Sequence, residues 1–339
     1  MRILRKILIT ILILIALSAI VYFLGPVYPY DPFDANPIVT DTPIEQVEDI
    51  INANESQYTI KPDNESRVIW YDGMKKTEYG ILYLHGWFAS QGEGAPVHTN
   101  LAQQYGTNLI LARQPGHGLI TEEPLLDVTA KDEMDYAKTM IDLASKTCEK
   151  LIVISQSTGC TYSSYLSSTD DRIYAQIMIS PNFGVADPSF DLLDGPWGLQ
   201  IVRKVLGSKY REWKGPPGTE KFWFTKIRAE GLIVLDQIVS NTMNPEVFKK
   251  IQSPVYIAYY YENHEKQDVV INASLIEPFV KAISTDSNMV RTHAFTGDLR
   301  HVLISEIMNK DYLFVQKSIS EYLEQVLGLS VVGTNGTDN

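Results

Sequence analysis

Among the side chains of this sequence, Ser157 is the one whose setting suits a nucleophile. It stands in Ser155-Gln156-Ser157-Thr158-Gly159, directly after the apolar run 151–154 and just ahead of residues with helical spacing. A strand that turns at once into a helix brings the two backbones close together. The residues two before and two after the apex must then be small, as Ser155 and Gly159 are. The apex side chain projects into the open, and the first N–H groups of the helix lack intrahelical acceptors and face any anion that develops beside it. That setting suits attack by an activated hydroxyl, with the resulting charge held by backbone donors. Taken alone, the five residues fit a buried structural serine equally well.

Such a turn needs a sheet behind it. From residue 67 onward, "RVIWY", "GILYLHG", "TNLILAR", "KLIVIS", "AQIMIS", "PVYIAYYY" and "NMVRTHAF" have the character of strands. "VHTNLAQQYG", "KDEMDYAKTMIDLASK", "CTYSSYLSS" and "DYLFVQKSISEYLEQV" carry helical spacing. Near-continuous apolar strands that alternate with helices predict an α/β protein with a mostly parallel, doubly wound sheet covered on both faces. Ligands of such sheets bind outside the carboxyl ends of the strands, where Ser157 would stand. Residues 183–252 interrupt the alternation without a clear strand or a clean amphipathic helix, and hold Trp197, Trp213 and Trp223.

With these residues in view, the sequence over about 60–328 resembles the α/β-hydrolase family. Residues 155–159 match its G-x-S-x-G elbow with Ser155 in place of the first glycine, and "LYLHGWFASQGEGAPVHTNLAQQYGTNLILARQPGHGL" resembles its first third. The resemblance implies that the backbone N–H groups of Trp87 and Thr158 form an oxyanion hole, with His85 and His117 stabilising turns. The family's order of nucleophile, acid and histidine leaves His264, His293 and His301 after the serine, His85, His98 and His117 preceding it. The family's loop before the final helix corresponds to His301, whereas His293 lies inside a strand candidate. Glu262, Glu265 and Asp268 compete as the acid. The family habit of Asp followed by two apolar residues selects Asp268, with Glu262 in reserve.

The implied function is a serine hydrolase cleaving acyl esters through Ser157, His301 and Asp268, with no metal or cofactor. "LHGW…PGHG" looks most like the monoacylglycerol lipase, carboxylesterase and lysophospholipase-like branch, often grouped with serine aminopeptidases. Peptide cleavage, acyl transfer and a non-catalytic binding protein on the same fold stay open. Residues 183–252 occupy the family's cap position, so Trp197, Trp213 and Trp223 are expected to line an acyl pocket. The rival zinc reading of "HEKQD" at 264–268 needs two ligands one turn apart on a helix, and this segment leaves a strand.

The ends and the composition complete the sequence reading. Arg2, Arg5 and Lys6 precede an apolar run over 7–24, long enough for a membrane-spanning helix with the basic end cytoplasmic and the body extracytoplasmic. A secreted form after signal cleavage is the alternative. The expected division is an anchor over 1–28, a linker and leading helix over 29–60, an α/β-hydrolase body over 61–330 with its cap, and a flexible tail over 331–339. In "TPIEQVEDII", Thr42 is the expected helix cap, Pro43 the first helical residue and Glu45 the partner that closes a capping box. A net charge of −12 argues against a nucleic-acid partner. If 151–155 is a strand, it holds Cys148 and Cys160 about 17 Å apart, too far for a disulfide.

Overall fold

The computed structural model describes residues 2–297 and 299–333, so the end of the expected tail, 334–339, lies outside the described residues. Helix α1 (Arg2–Phe23) has 22 residues, none of them buried. Residues 24–43 form no helix or strand, yet they are no loose spacer: Tyr28 and Phe33 pack against the main core. The Gln237 amide donates to the Pro29 carbonyl at 3.1 Å, Arg172 donates to that of Ile38 at 2.7 Å, and the Thr40 hydroxyl donates to Asp142 at 2.5 Å.

Helix α2 (Ile44–Glu55) differs from expectation at its start. Pro43, in extended conformation, takes the capping position, and the Thr42 hydroxyl pairs with that of Thr40 at 2.7 Å. Thr42 is therefore one residue too early, and the box does not close. At the far end of α2, Glu55 accepts from Arg113 Nε at 2.7 Å and Nη2 at 2.8 Å, both side chains being buried. Arg113 Nη1 also donates to the His117 carbonyl at 3.0 Å, which ties α2 to the 115–118 turn. Glu55→Ala would strand this guanidinium without its partner. The expected loss is about 3–5 kcal/mol of stability, read from urea unfolding monitored by circular dichroism.

The body then runs β1 (Arg67–Ile69), β2 (Thr77–Leu84), α3 (Val97–Tyr105), β3 (Asn108–Leu111), α4 (Ala130–Lys146), β4 (Cys148–Gln156), α5 (Thr158–Ser167) and β5 (Ile173–Ile179). Next come α6 (Gly198–Leu206), the ribbon β6 (Tyr210–Glu212) with β7 (Lys226–Arg228), α7 (Ala229–Thr242) and α8 (Pro245–Phe248). The chain closes with β8 (Val255–Asn263), β9 (Lys266–Gln267), α9 (Ile276–Ala282), β10 (Val290–Phe295) and α10 (Tyr312–Gln325). The main sheet has the order β1-β3-β2-β4-β5-β8-β10, with β9 paired to β8. Among the described strands of this sheet, only β1 and β9 run antiparallel to their neighbours.

Alternation along each strand feeds two cores. In β4, Leu151 and Val153 face a core shared with α2, α4, α5 and α7, while Ile152 and Ile154 face the one under α3 and α10. Burial on both faces is why these strands read as continuous apolar runs. Within 183–252, where neither strand nor clean helix is evident in the sequence, the structure has both. Helix α7 is buried over nearly its whole circumference against α4 and α5. Cys148 and Cys160 are free, buried thiols.

Candidate active site

Ser157 caps the start of α5 in a conformation rare for anything but glycine, φ 52° and ψ −115°. Three backbone hydrogen bonds hold it there: its N–H donates to Ile179 at 2.9 Å, and its carbonyl accepts from Cys160 at 3.0 Å and Asn182 at 3.1 Å. The small flanking residues have clear causes. A Cβ on Gly159 would collide with the Leu84 carbonyl oxygen, because α5 crosses the end of β2 there. Ser155 is fully buried and tolerated in place of glycine, its hydroxyl lying 3.2 Å from that of Ser163.

The strands leave the other candidates at the same sheet edge. Asp268 follows the short β8–β9 hairpin and donates its backbone N–H to Tyr260 at 3.1 Å, which returns the chain to the sheet. One carboxylate oxygen accepts from the N–H groups of Val270 at 2.8 Å and Ile271 at 3.2 Å. The other lies 2.7 Å from His301 Nδ1. The His301 side chain is 15% exposed, whereas that of Asp268 is fully buried. Its loop is tied to the serine turn by the Gln156 amide, which donates to the His301 carbonyl at 3.1 Å.

The electrostatics favour an ion-paired imidazole. Burial alone pushes the Asp268 carboxyl up, but His301 and the Val270 and Ile271 N–H groups outweigh it and hold the group below its ordinary value. Burial opposes charge on His301 too, yet Asp268 and then Glu93 win and raise its pKa above the ordinary 6.5.

After β2, the chain turns sharply at Gly86, Trp87 and Phe88, the last with φ 71°. Gly86 donates its N–H to Glu93 Oε2 at 2.6 Å. Among the described residues, no other group takes the N–H of Trp87 or of Thr158. His85 and His117 are buried and bonded to backbone: His85 Nε2 accepts from Gln114 at 3.0 Å, and His117 Nδ1 lies 2.9 Å from the Pro115 carbonyl. His98, also buried, lies 3.0 Å from the Gln91 carbonyl, and His293 pairs with Ser318 at 2.9 Å.

The competing acids and the aromatic residues separate clearly. Glu262 is exposed and pairs with Lys266 at 3.3 Å, and His264 and Glu265 occupy the exposed hairpin turn, not the helix that a zinc motif needs. Of the three tryptophans expected to line a pocket, the structure brings only Trp223 to the site, where it is buried beside Glu93. The Trp197 indole turns away to donate to the Val21 carbonyl of α1 at 3.1 Å. That of Trp213 donates to Phe224 at 2.9 Å, inside the cap's own ribbon.

Glu93 is the residue that the sequence reading misses. It is 2% exposed and its carboxylate takes Gly86 N–H and the Tyr83 hydroxyl, the latter at 3.3 Å. A Cβ built on Gly86 would lie 3.0 Å from Ser157 Cβ and 3.1 Å from Glu93 Oε1, so both side chains crowd the Gly86 backbone. Burial pushes the carboxyl up to about 7, only partly offset by the Gly86 N–H and by His301. The available signal is that Glu93 is the sole Asp, Glu, Lys or Arg over residues 79–112.

No family model and no curated protein sequence matches this chain. Solved structures do. A metagenome-derived lipolytic enzyme superposes with a TM-score of 0.60 at 15% identity, covering 78% of this chain and 100% of its own. A monoacylglycerol lipase from Paleococcus ferrophilus gives 0.56 at 12% identity, over 77% and 98% of the two chains. A soluble variant of monoglyceride lipase from Saccharomyces cerevisiae gives 0.56 at 12% identity, over 79% and 92%. By its sheet order, its strand-to-helix turn at Ser157 and its match to these chains, the protein has the α/β-hydrolase fold.

Proposed function

We propose that the protein is a serine hydrolase of carboxylic acyl esters, with Ser157 as nucleophile, His301 as base and Asp268 as the group that orients and stabilises the imidazolium. The observation that carries this reading is the 2.7 Å contact between His301 and a buried Asp268, at the sheet edge where Ser157 stands in a strained turn. His301 takes the Ser157 proton as the oxygen attacks the ester carbonyl. The N–H groups of Trp87 and Thr158 receive the oxyanion, His301 returns the proton to the leaving alcohol, and water cleaves the acyl-enzyme by the same steps. In this scheme α1 anchors the chain, with Arg2, Arg5 and Lys6 cytoplasmic and the body on the other side.

The pH profile tests the base. His301 must be neutral to accept a proton, and its pKa is raised, so kcat/KM should climb with pH through a midpoint above 6.5. Glu93→Gln removes one of the two carboxylates that raise it, and the midpoint should move down. A profile flat from about pH 5 to 9 would be incompatible with a histidine base.

The lipase neighbours support an apolar acyl chain as substrate. Each methylene is worth about 0.8 kcal/mol at full burial, so kcat/KM should rise about threefold per carbon from acetate to octanoate esters, less where burial is partial. Trp223→Ala should flatten that rise, costing octanoate more than acetate. Values that fall from acetate upward would point to a small-ester or peptide substrate instead.

A further inference from the structure

The outer face of α6 and the last turns of α1 form one surface. Trp197 joins them: its backbone N–H donates to the Pro26 carbonyl at 2.8 Å and its indole N–H to the Val21 carbonyl at 3.1 Å. Gly25, at the junction, has no room for a side chain, since a Cβ there would collide with the Trp197 indole. The groove between the two helices is lined by Ser18, Val21 and Tyr22 from α1 and by Ile201, Lys204 and Val205 from α6.

This face of α6 is apolar and uncovered. Ile201 and Val205 lie one turn apart and are 42% and 79% exposed, and Leu192, just before α6, is 58% exposed. Of the nine residues of α6, only Gly198 and Val202 are buried in the body. A 22-residue helix is about 33 Å long, so residues 18–22 lie at one end of a membrane span, where the chain leaves the bilayer. Residues lining the same groove share that depth. The segment after α1 cannot lift the body away, because Tyr28 and Phe33 are packed into it.

The geometry points to α6 as a bilayer-contacting helix, whose Ile201–Val205 face enters the lipid interface beside the anchor while Lys204 reaches the phosphates. The occupant is a phospholipid bilayer, because the face is continuous with the anchor and combines apolar side chains with a basic one. The inference rests on the reading of α1 as a membrane anchor.

Site-directed fluorescence in the full chain, reconstituted in phosphatidylcholine–phosphatidylglycerol vesicles, tests it. The native thiols are buried, so an environment-sensitive probe reports from an introduced cysteine. Three variants suffice: Val205→Cys on α6, Leu14→Cys within α1, and Lys317→Cys on α10 across the sheet. The Val205 probe should be quenched by nitroxide lipids at a depth of about 5–10 Å and shielded from aqueous iodide. The Leu14 probe should be quenched from lipid at greater depth, and the Lys317 probe by iodide alone. A Val205 probe open to iodide and untouched by nitroxide lipid, with Leu14 in lipid, overturns the inference. Shielding of Val205 from both quenchers also overturns it, in favour of a protein covering α6. If the Leu14 probe too is outside lipid, the anchor reading itself fails.

Discussion

Ser157→Ala is expected to lower kcat/KM for p-nitrophenyl esters by about 10³-fold or more, equivalent to about 4 kcal/mol of transition-state stabilisation, with the fold unchanged. The fold should survive because Ser157 is held by its backbone. Its N–H bonds to Ile179 and its carbonyl bonds to Cys160 and Asn182 remain when the hydroxyl is removed. The left-handed φ of 52° is no harder for alanine to adopt by more than a small margin, so circular dichroism and the unfolding midpoint should stay close to wild type. Residual activity should stem from the unchanged N–H donors and substrate binding, which act without the nucleophile. A fluorophosphonate probe should label the wild type and not the variant. Activity kept by a folded Ser157→Ala protein would move the nucleophile elsewhere, and a wild type that takes up no probe would favour a non-catalytic binding protein.

Asp268→Asn should cost about as much or more, roughly 10⁴-fold in kcat, on the scale seen when the acid of such a triad becomes an amide. One Asp268 oxygen accepts from the backbone at Val270 and Ile271 and the other from His301 Nδ1. The amide has a single acceptor oxygen. If that oxygen keeps the two backbone donors, the NH₂ group faces Nδ1 and forces the proton onto Nε2, the atom that must receive the serine proton. The loss should fall on kcat with little change in KM, since the acid does not touch the substrate. Glu262→Gln is the matched control. Glu262 is exposed and paired only with Lys266, so this change should leave the rate unaltered. Inactivation by Glu262→Gln together with an active Asp268→Asn would exchange the two assignments.

The sheet is legible in the chain because strands buried on both faces are apolar at nearly every position. The runs around Leu82, Ile110, Val153, Ile177 and Ile257 are unmistakable for that reason. The sequence also located the turn at Ser157, since Gly159 is required by the close approach of Leu84 and leaves a local trace. Helix α7 left none: it is buried against α4 and α5 on nearly every side, so no polar face marks its period. Local pattern alone left Glu262, Glu265 and Asp268 in competition, and only the resemblance singled out Asp268. In the fold, the β8–β9 hairpin carries the two glutamates into solvent and brings Asp268 back to the sheet edge, 33 residues before the histidine it meets. Glu93 and Trp197 were decided in the same way. Each is set by segments far apart in the chain: Glu93 by the buried Trp223 beside it, Trp197 by Val21 at the end of α1. Spacing along a chain records local backbone periods, and contacts of this kind arise only when the whole fold closes.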